Sequence, residues 1–297
     1  MRIEPNSPLK ETMLYYTQIG NTNVSIQSYC EPCTRLKNTK SGDEVLTLQA
    51  LYEYCIQPNH SDHHVVYIHD KGSFNYHEKN ERLRRVLTKG AFSNECVTMG
   101  SNDIHYGPSE CDVCASQTAF VPMFSCHGNM FTAKCDYVQL LIPPNEFTAR
   151  KEEVFQKAIN DTELNRKNIL NARMLKGNFA LNRISWLGHG RYAMEHWIYS
   201  HPYVQPCDVR NQFENYGHFD YGNPPQKPLD WEPHLRLIDE NYFLACEDKK
   251  ASRFAKGLPL WYKLPGRLYE WKELYNNTMP KKDSWIWKYY SLYNSIL

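Results

Sequence analysis

Three short segments of the chain carry the side chains best suited to chemistry. The first is His69-Asp70-Lys71-Gly72-Ser73, at the end of the mostly apolar run His64–His69. Such a run is typical of a buried strand, and ligands of open α/β sheets bind where strands end. Gly72 lets the backbone approach a ligand, and Lys71 and Ser73 suit phosphate oxygens. The segment therefore predicts either a phosphate-binding loop or a solvated charged turn.

The second segment is Gly128-Asn129-Met130-Phe131, which we interpret as a turn that leads into a helix over residues 135–141. A Gly-Asn turn at a helix start brings backbone N–H groups and the positive end of the helix dipole to one point. Hydroxyl or phosphate groups bind at such a point. An ordinary helix start, with Asn129 near the N-cap, accounts for the same residues.

The third segment, Arg191–Ile198, has the spacing of a short helix on which Arg191 and Glu195 share a face. One interpretation is a surface ion pair between residues four apart. The other is a general base, in which Glu195 takes the proton of an attacking hydroxyl beside a cation. His189 lies in the preceding Gly-rich turn, where it binds an acceptor or phosphate or has a structural role.

Secondary-structure signals around these segments predict an α/β protein. A strand over 13–19, a helix over 43–55 and a strand over 64–69 form a βαβ unit, which builds a mostly parallel sheet flanked by helices. Further helices are predicted over 80–96, 146–176 and 192–199. We expect one domain over residues 1–240 and a helical, aromatic-rich extension over 241–297 packed on it.

Composition narrows the range of partners and compartments. The net charge of +1 does not suggest a surface for nucleic acid. No apolar run is long enough to span a bilayer, and the polar N-terminus lacks a signal-peptide pattern. The chain is predicted to be soluble as given, in the cytoplasm or the Golgi lumen.

Ten cysteines leave three structural interpretations open. Two pairs have C-x-x-C spacing, Cys30/Cys33 and Cys111/Cys114, and four such thiols satisfy the geometry of a structural zinc site. The pairs are far apart in the sequence, which favours disulfides or buried thiols over zinc.

Taken in order, the three segments resemble a set of glycosyltransferase-like proteins from algae, large algal viruses and bacteria that are related to the rhamnan-synthesis enzymes. The shared pattern is His-x-Lys-Gly-Ser after a strand, then Gly-Asn-Met-Phe, then Glu-x-Trp on a later helix. The resemblance covers roughly residues 12–208. The matching pieces are Leu46–Leu51, Tyr67–Ser73, Arg82–Arg85, Cys111–Cys114, Gly128–Pro144, Glu195–Trp197 and Ser200–Pro202.

The resemblance implies a GT-A (Rossmann-like) fold and transfer of a sugar from a UDP or GDP donor to a glycan hydroxyl, without an organic cofactor. It implies an inverting reaction with Glu195 as the catalytic base. The implied donor-binding residues are His69, Asp70, Lys71, Gly72, Ser73 and Arg85. The implied acceptor- or sugar-binding residues are Gly128, Asn129, His189, Arg191 and Trp197.

A metal is the point at which the chain departs from the pattern. GT-A enzymes usually hold Mn²⁺ or Mg²⁺ with an Asp-x-Asp pair, which this sequence lacks. Single carboxylates, Asp70 or Asp112 (with Asp136 as a third candidate), are the predicted ligands. Alternatively, Lys71 or Arg85 neutralises the diphosphate. Two other functions stay open: a catalytically silent glycan-binding or scaffold protein, and a zinc-stabilised structural protein.

Overall fold

The structure is a computed structural model that describes residues 13–20, 33–70, 78–99, 110–116, 118–119, 125–126, 128–160, 193–209, 273–276 and 278. In chain order its elements are β1 (Leu14–Ile19), β2 (Cys33–Thr39), α1 (Val45–Cys55), β3 (His64–Tyr67), α2 (Glu78–Ala91), α3 (Asn94–Thr98), β4 (Val113–Ala115), β5 (Thr118–Ala119), β6 (Ser125–Cys126), β7 (Phe131–Lys134), α4 (Cys135–Val138), α5 (Pro144–Asn160), α6 (Ala193–Trp197) and β8 (Pro206–Asp208). No helix among these residues is long and apolar enough to cross a membrane.

The main sheet has four strands in the order β3-β7-β4-β8. β7 is antiparallel to both β3 and β4, and β4 is parallel to β8. Three strands therefore run in one direction with one reversed strand among them, so the sheet is mixed, but two of its three pairings are antiparallel and it is not the mostly parallel sheet that was predicted. The GT-A class stays a prediction.

The predicted strand at 13–19, helix at 43–55 and strand at 64–69 are confirmed as β1, α1 and β3. The prediction that they form one βαβ unit is wrong. β1 pairs in parallel with β2 in a separate two-stranded sheet, from Leu14↔Cys33 to Ile19↔Thr39. The residues of β2 are mostly polar and exposed, so no apolar pattern in the sequence indicated this strand.

The prediction that the turn Gly128-Asn129 leads into a helix is wrong for the residues that follow it directly. The turn enters the strand β7, and only the four-residue helix α4 follows. Phe131, Thr132 and Ala133 are fully buried between β3 and β4. Since β7 hydrogen-bonds on both sides, the sheet decides the conformation of a short apolar segment whose sequence fits strand and helix alike.

The remaining helices differ from their predictions mainly in the residues at which they begin and end. The helix predicted over 80–96 is observed as α2 and α3, separated where Ser93 caps α3 by accepting a hydrogen bond from the Cys96 N–H. α5 begins at Pro144, a position where a helix needs no N–H donor. The predicted continuation beyond residue 160 lies outside the described residues.

The core lies between the sheet and the helices α1, α5 and α6. Its largest side chains include Trp197, Phe131 and Phe147, all fully buried. Tyr275, from the predicted C-terminal extension, belongs to the same cluster, and its hydroxyl lies 2.6 Å from the Ser200 hydroxyl. At least this part of the extension packs on the core.

Three disulfides link the described elements: Cys55–Cys135, Cys96–Cys114 and Cys111–Cys207. Cys33 is also disulfide-bonded, whereas Cys126 keeps a buried thiol that donates to the Met130 carbonyl. The hypothesis that the Cys111/Cys114 pair holds zinc is therefore wrong, because both sulfurs are bonded to other cysteines. Zinc needs the free thiolate.

Candidate functional site

The candidate site is built around the turn Gly128-Asn129 at one edge of the main sheet. β3 ends where β7 begins, because the two strands are antiparallel and Tyr67 pairs with Phe131. His69, which follows β3, therefore lies beside the turn that precedes β7. The turn needs left-handed backbone at both positions, with φ of +81° at Gly128 and +49° at Asn129. Glycine and asparagine tolerate that region best.

Gly128 is also required for space. A Cβ atom built on it lies 2.3 Å from Cδ1 of Leu87, a fully buried side chain of α2. Leu87 cannot move away without disturbing the neighbours that bury it. The turn therefore sits against α2 with no room for a side chain.

Gly128→Ala is expected to lower the free energy of unfolding by about 2–4 kcal/mol, combining left-handed strain with overpacking. Urea unfolding measures the loss. Gly20→Ala is the matched control, because Gly20 has φ of +109° but no described atom within 4 Å of the place that a Cβ would occupy. We expect the control to lose only the backbone part. Equal losses in the two variants would contradict the steric role of Leu87.

His69 binds the turn directly. Its Nε2 lies 2.8 Å from the Gly128 carbonyl oxygen, and since a carbonyl only accepts, Nε2 carries the proton. Nδ1 lies 3.7 Å from Oε1 of Glu44. The ring stacks on Tyr67 with the planes 8° apart. Burial, followed by the nearby Glu44 carboxylate, raises the pKa of Tyr67 well above its usual value, so this partner remains a neutral phenol.

Glu195 reaches the same turn from α6. Its Oε1 accepts a hydrogen bond from the Gly128 N–H at 3.3 Å. The other four residues of α6 are buried, while Glu195 is half-buried. The helix therefore uses its apolar side chains to anchor itself in the core and presents one carboxylate at the edge of the turn.

Asn129 is fully buried, and its amide is only half satisfied. Nδ2 donates to Oε2 of Glu44 at 2.5 Å, whereas Oδ1 has no hydrogen-bond partner among the residues that the structure describes. A buried unpaired amide oxygen costs about 1–3 kcal/mol. Two carboxylates, Glu44 and Glu195, thus flank the turn, and a buried acceptor lies between the elements that carry them.

Glu44 was not predicted as a site residue. It stands just before α1, and an acidic residue at a helix start is ordinarily interpreted as a partner of the helix dipole. Nothing in the local sequence relates it to Asn129, which is 85 residues away. Only the folded chain, which sets the start of α1 beside the turn, brings the two together.

The predicted donor-side residues are placed as follows. Asp70 pairs with Arg84, with Nη1 and Oδ1 2.7 Å apart. Arg85 instead pairs with Glu81, and its side chain is 72% exposed, so Arg84 is the arginine that contacts this segment. Lys71, Gly72 and Ser73 lie outside the described residues, as do His189 and Arg191.

Trp197 corrects an expectation. Its side chain is fully buried, and its Nε1 donates to the Ile142 carbonyl at 2.7 Å. Because the only hydrogen-bond donor of the ring is used inside the core, Trp197 has no polar group left to offer to an acceptor. Trp197 instead anchors the helix that carries Glu195.

The described carboxylates do not fit the predicted Mn²⁺ or Mg²⁺ site. Asp112 lies at the opposite end of the sheet from Asp70, where it accepts a hydrogen bond from the Gln205 N–H at 2.9 Å. Burial raises the pKa of Asp112 to about 6, against the lowering effect of that bond. Asp70 is held by Arg84, and the part of the chain described contains no group of three metal-binding side chains.

The chain as a whole resembles a described family of proteins. Neither a curated protein nor a solved structure matches the chain. One family model does match, over residues 2–289, which is nearly the full length. The chain belongs to the family described as Domain of unknown function (DUF8361).

Proposed function

We propose that this protein is a glycosyltransferase that transfers a sugar from a nucleotide-diphosphate donor to a glycan hydroxyl. The observation that carries the proposal is the turn Gly128-Asn129. Hydrogen bonds of 2.8 Å to His69 and 3.3 Å to Glu195 join it to two segments that are distant in the sequence. These are the three segments whose order resembles glycosyltransferase-like proteins.

In this proposal Glu195 is the general base. It removes the proton of the acceptor hydroxyl while that oxygen forms a bond to the anomeric carbon of the donor sugar. The bond from that carbon to the diphosphate oxygen breaks on the opposite face, and the nucleotide diphosphate leaves with the electron pair. The sugar configuration is inverted. Asn129 holds a sugar hydroxyl beside the carbon under attack.

The departing diphosphate needs positive charge or hydrogen-bond donors nearby. We assign this role to the segment from His69 to Ser73, with Lys71 as its cation. Arg84, which pairs with both Asp70 and Glu81, adds a guanidinium as the second cationic donor near this segment. In this arrangement, side chains of the protein itself stabilise the negative charge that develops on the departing diphosphate.

The disulfides favour the Golgi lumen over the cytoplasm as the working compartment. Disulfides persist where the surroundings are oxidising, and cytosolic reductants keep most thiols reduced. Three buried disulfides among the described residues are the feature that supports this choice.

The testing experiment is a thermal-shift screen against UDP, GDP, UDP-glucose, UDP-galactose, GDP-mannose and GDP-fucose, with and without Mn²⁺. A ligand at a hundred times its Kd stabilises the native state by about 2.7 kcal/mol. At about 2 °C per kcal/mol for a chain of this size, we expect the midpoint to rise by about 5 °C. Adenosine monophosphate serves as the ligand control.

The site is located by two matched variants. His69→Asn should reduce the shift, whereas His64→Asn should keep it, because His64 lies at the other end of β3 with its ring bonded to the Val97 carbonyl. If no nucleotide in the panel exceeds adenosine monophosphate, the transferase proposal is wrong. Binding without any transfer to glycan acceptors would favour the silent glycan-binding protein.

A further inference from the structure

Glu44 precedes α1 but does not cap it. Its backbone is already helical, at φ −60° and ψ −26°, and its side chain makes no capping hydrogen bond. The neighbouring Asp43 does so instead, accepting from the Val45 N–H at 3.0 Å. The Glu44 carboxylate points away from its own helix and contacts Asn129 and His69.

The Glu44 carboxylate determines which end of the Asn129 amide faces it. An ionised carboxylate can only accept hydrogen bonds, so it selects the NH₂ end of the amide. Oε2 of Glu44 lies 2.5 Å from Nδ2 of Asn129, and no described group pairs with Oδ1 of Asn129 although the residue is fully buried. Native proteins rarely leave a buried acceptor unused, and such an atom calls for a specific partner.

We infer that Glu44 is a positioning residue that fixes the Asn129 amide, so that Oδ1 accepts a hydrogen bond from a hydroxyl of the sugar substrate. This inference rests on the proposed function and names the chemistry of the subsite. An acceptor in a buried position selects ligands that donate. Sugar hydroxyls do so, whereas phosphate oxygens and deoxygenated carbons do not.

The surroundings of the turn agree with a polar ligand. Glu44, His69 and Glu195 are half-buried, and each contacts the Gly128-Asn129 turn or its amide from a different element. Glu44 exposes 31% of its side chain and His69 exposes 18%. Asn129 itself has no exposed surface, so a hydroxyl-bearing ligand that lies against these three side chains reaches Oδ1 only when groups over the turn move aside.

The experiment uses Glu44→Gln with Glu53→Gln as the matched control. Glu53 is an exposed residue of the same helix, bonded to the Gln49 amide. A glutamine amide at position 44 can face Asn129 with either end, so it no longer selects the orientation. The measured quantity is the ratio of the Kd of a nucleotide to the Kd of its nucleotide sugar, with the best ligand of the panel.

We expect Glu44→Gln to reduce this ratio about three- to tenfold, which is the loss of one hydrogen bond. The control should leave it unchanged. A role that is only structural would weaken nucleotide and nucleotide sugar equally, and that result overturns the inference.

A second readout works without any nucleotide. In protein with ¹⁵N-labelled asparagine, the Asn129 side-chain amide is assigned by its absence in Asn129→Ala. Glu44→Gln should move this signal and Glu53→Gln should not. Free glucose, galactose or mannose should also move it in the wild-type protein.

This readout separates the two hypotheses. If no nucleotide binds but a free sugar moves the Asn129 signal only while Glu44 is present, the transferase proposal fails and the subsite stands. If neither nucleotide sugars nor free sugars move the signal, Oδ1 is satisfied by water alone and the inference is wrong.

Discussion

Replacing Glu195 with glutamine is expected to reduce the rate of sugar transfer by about a hundredfold to ten-thousandfold, the range typical for loss of a general base. Glutamine has nearly the same shape but cannot take the acceptor proton. It can still accept the hydrogen bond that Glu195 Oε1 now receives from the Gly128 N–H at 3.3 Å. The turn should therefore keep its structure, and donor binding should remain.

The measurement is nucleotide release in the presence of a glycan acceptor, together with the Kd of the donor. Glu153→Gln is the control, because Glu153 is an exposed carboxylate on α5. If Glu195→Gln keeps the wild-type rate, Glu195 is not the base. Loss of donor binding along with the rate would instead indicate that Glu195 holds the turn in place and has no separate chemical role.

Removing the Cys55–Cys135 disulfide is expected to lower the free energy of unfolding by about 2–5 kcal/mol. The bond closes a loop with a sequence separation of 80 residues, and both cysteines are fully buried. It joins the last residue of α1 to the first residue of α4, immediately after β7. The bond therefore ties the helix that follows Glu44 to the strand that follows Asn129.

The double variant Cys55→Ala/Cys135→Ala is compared with the wild type by urea unfolding under non-reducing conditions. Cys126→Ser is the control, since Cys126 is buried without a disulfide and serine keeps a donor for the Met130 carbonyl. We expect the control to lose much less stability. Equal urea midpoints for the double variant and the wild type would show that this bond does not stabilise the native state.

Several features could be predicted because their signals are local. The apolar runs of β1 and β3 and the helical spacing of α1 lie within a few residues of one another, and the structure has these elements at those positions. Pro144 stands at the start of α5, where proline suits a helix. The chemical character of His69, Asn129 and Glu195 is likewise visible in their side chains alone.

The sheet could not be assembled from such signals. β7 is only four residues long, and its conformation depends on strands on both sides of it. β2 is polar and exposed, so its only signature is its pairing with β1. Hydrogen bonding between distant segments decides such strands, and intrinsic preference is too weak to do so.

The same distinction applies to the cysteines. Their spacing in the sequence suggested Cys30/Cys33 and Cys111/Cys114 as possible zinc ligands and predicted no disulfide partners, whereas Cys111 and Cys114 are bonded to Cys207 and Cys96. A disulfide requires Cα atoms within about 7 Å, and that distance depends on the folded chain. The compartment we propose follows from these bonds, and the number of cysteines alone left it open.

For the candidate site, the amino-acid sequence by itself determined which chemical groups are present: an imidazole, a Gly-Asn turn and a carboxylate on a short helix. The tertiary structure decided which of them meet, because His69, Gly128 and Glu195 are joined by hydrogen bonds across the sheet edge. It also shows that Glu44 contacts Asn129, and that Trp197 lies in the core with its Nε1 bonded to the Ile142 carbonyl. Contacts between elements far apart in the chain depend on packing, and packing leaves no signature in the neighbouring residues.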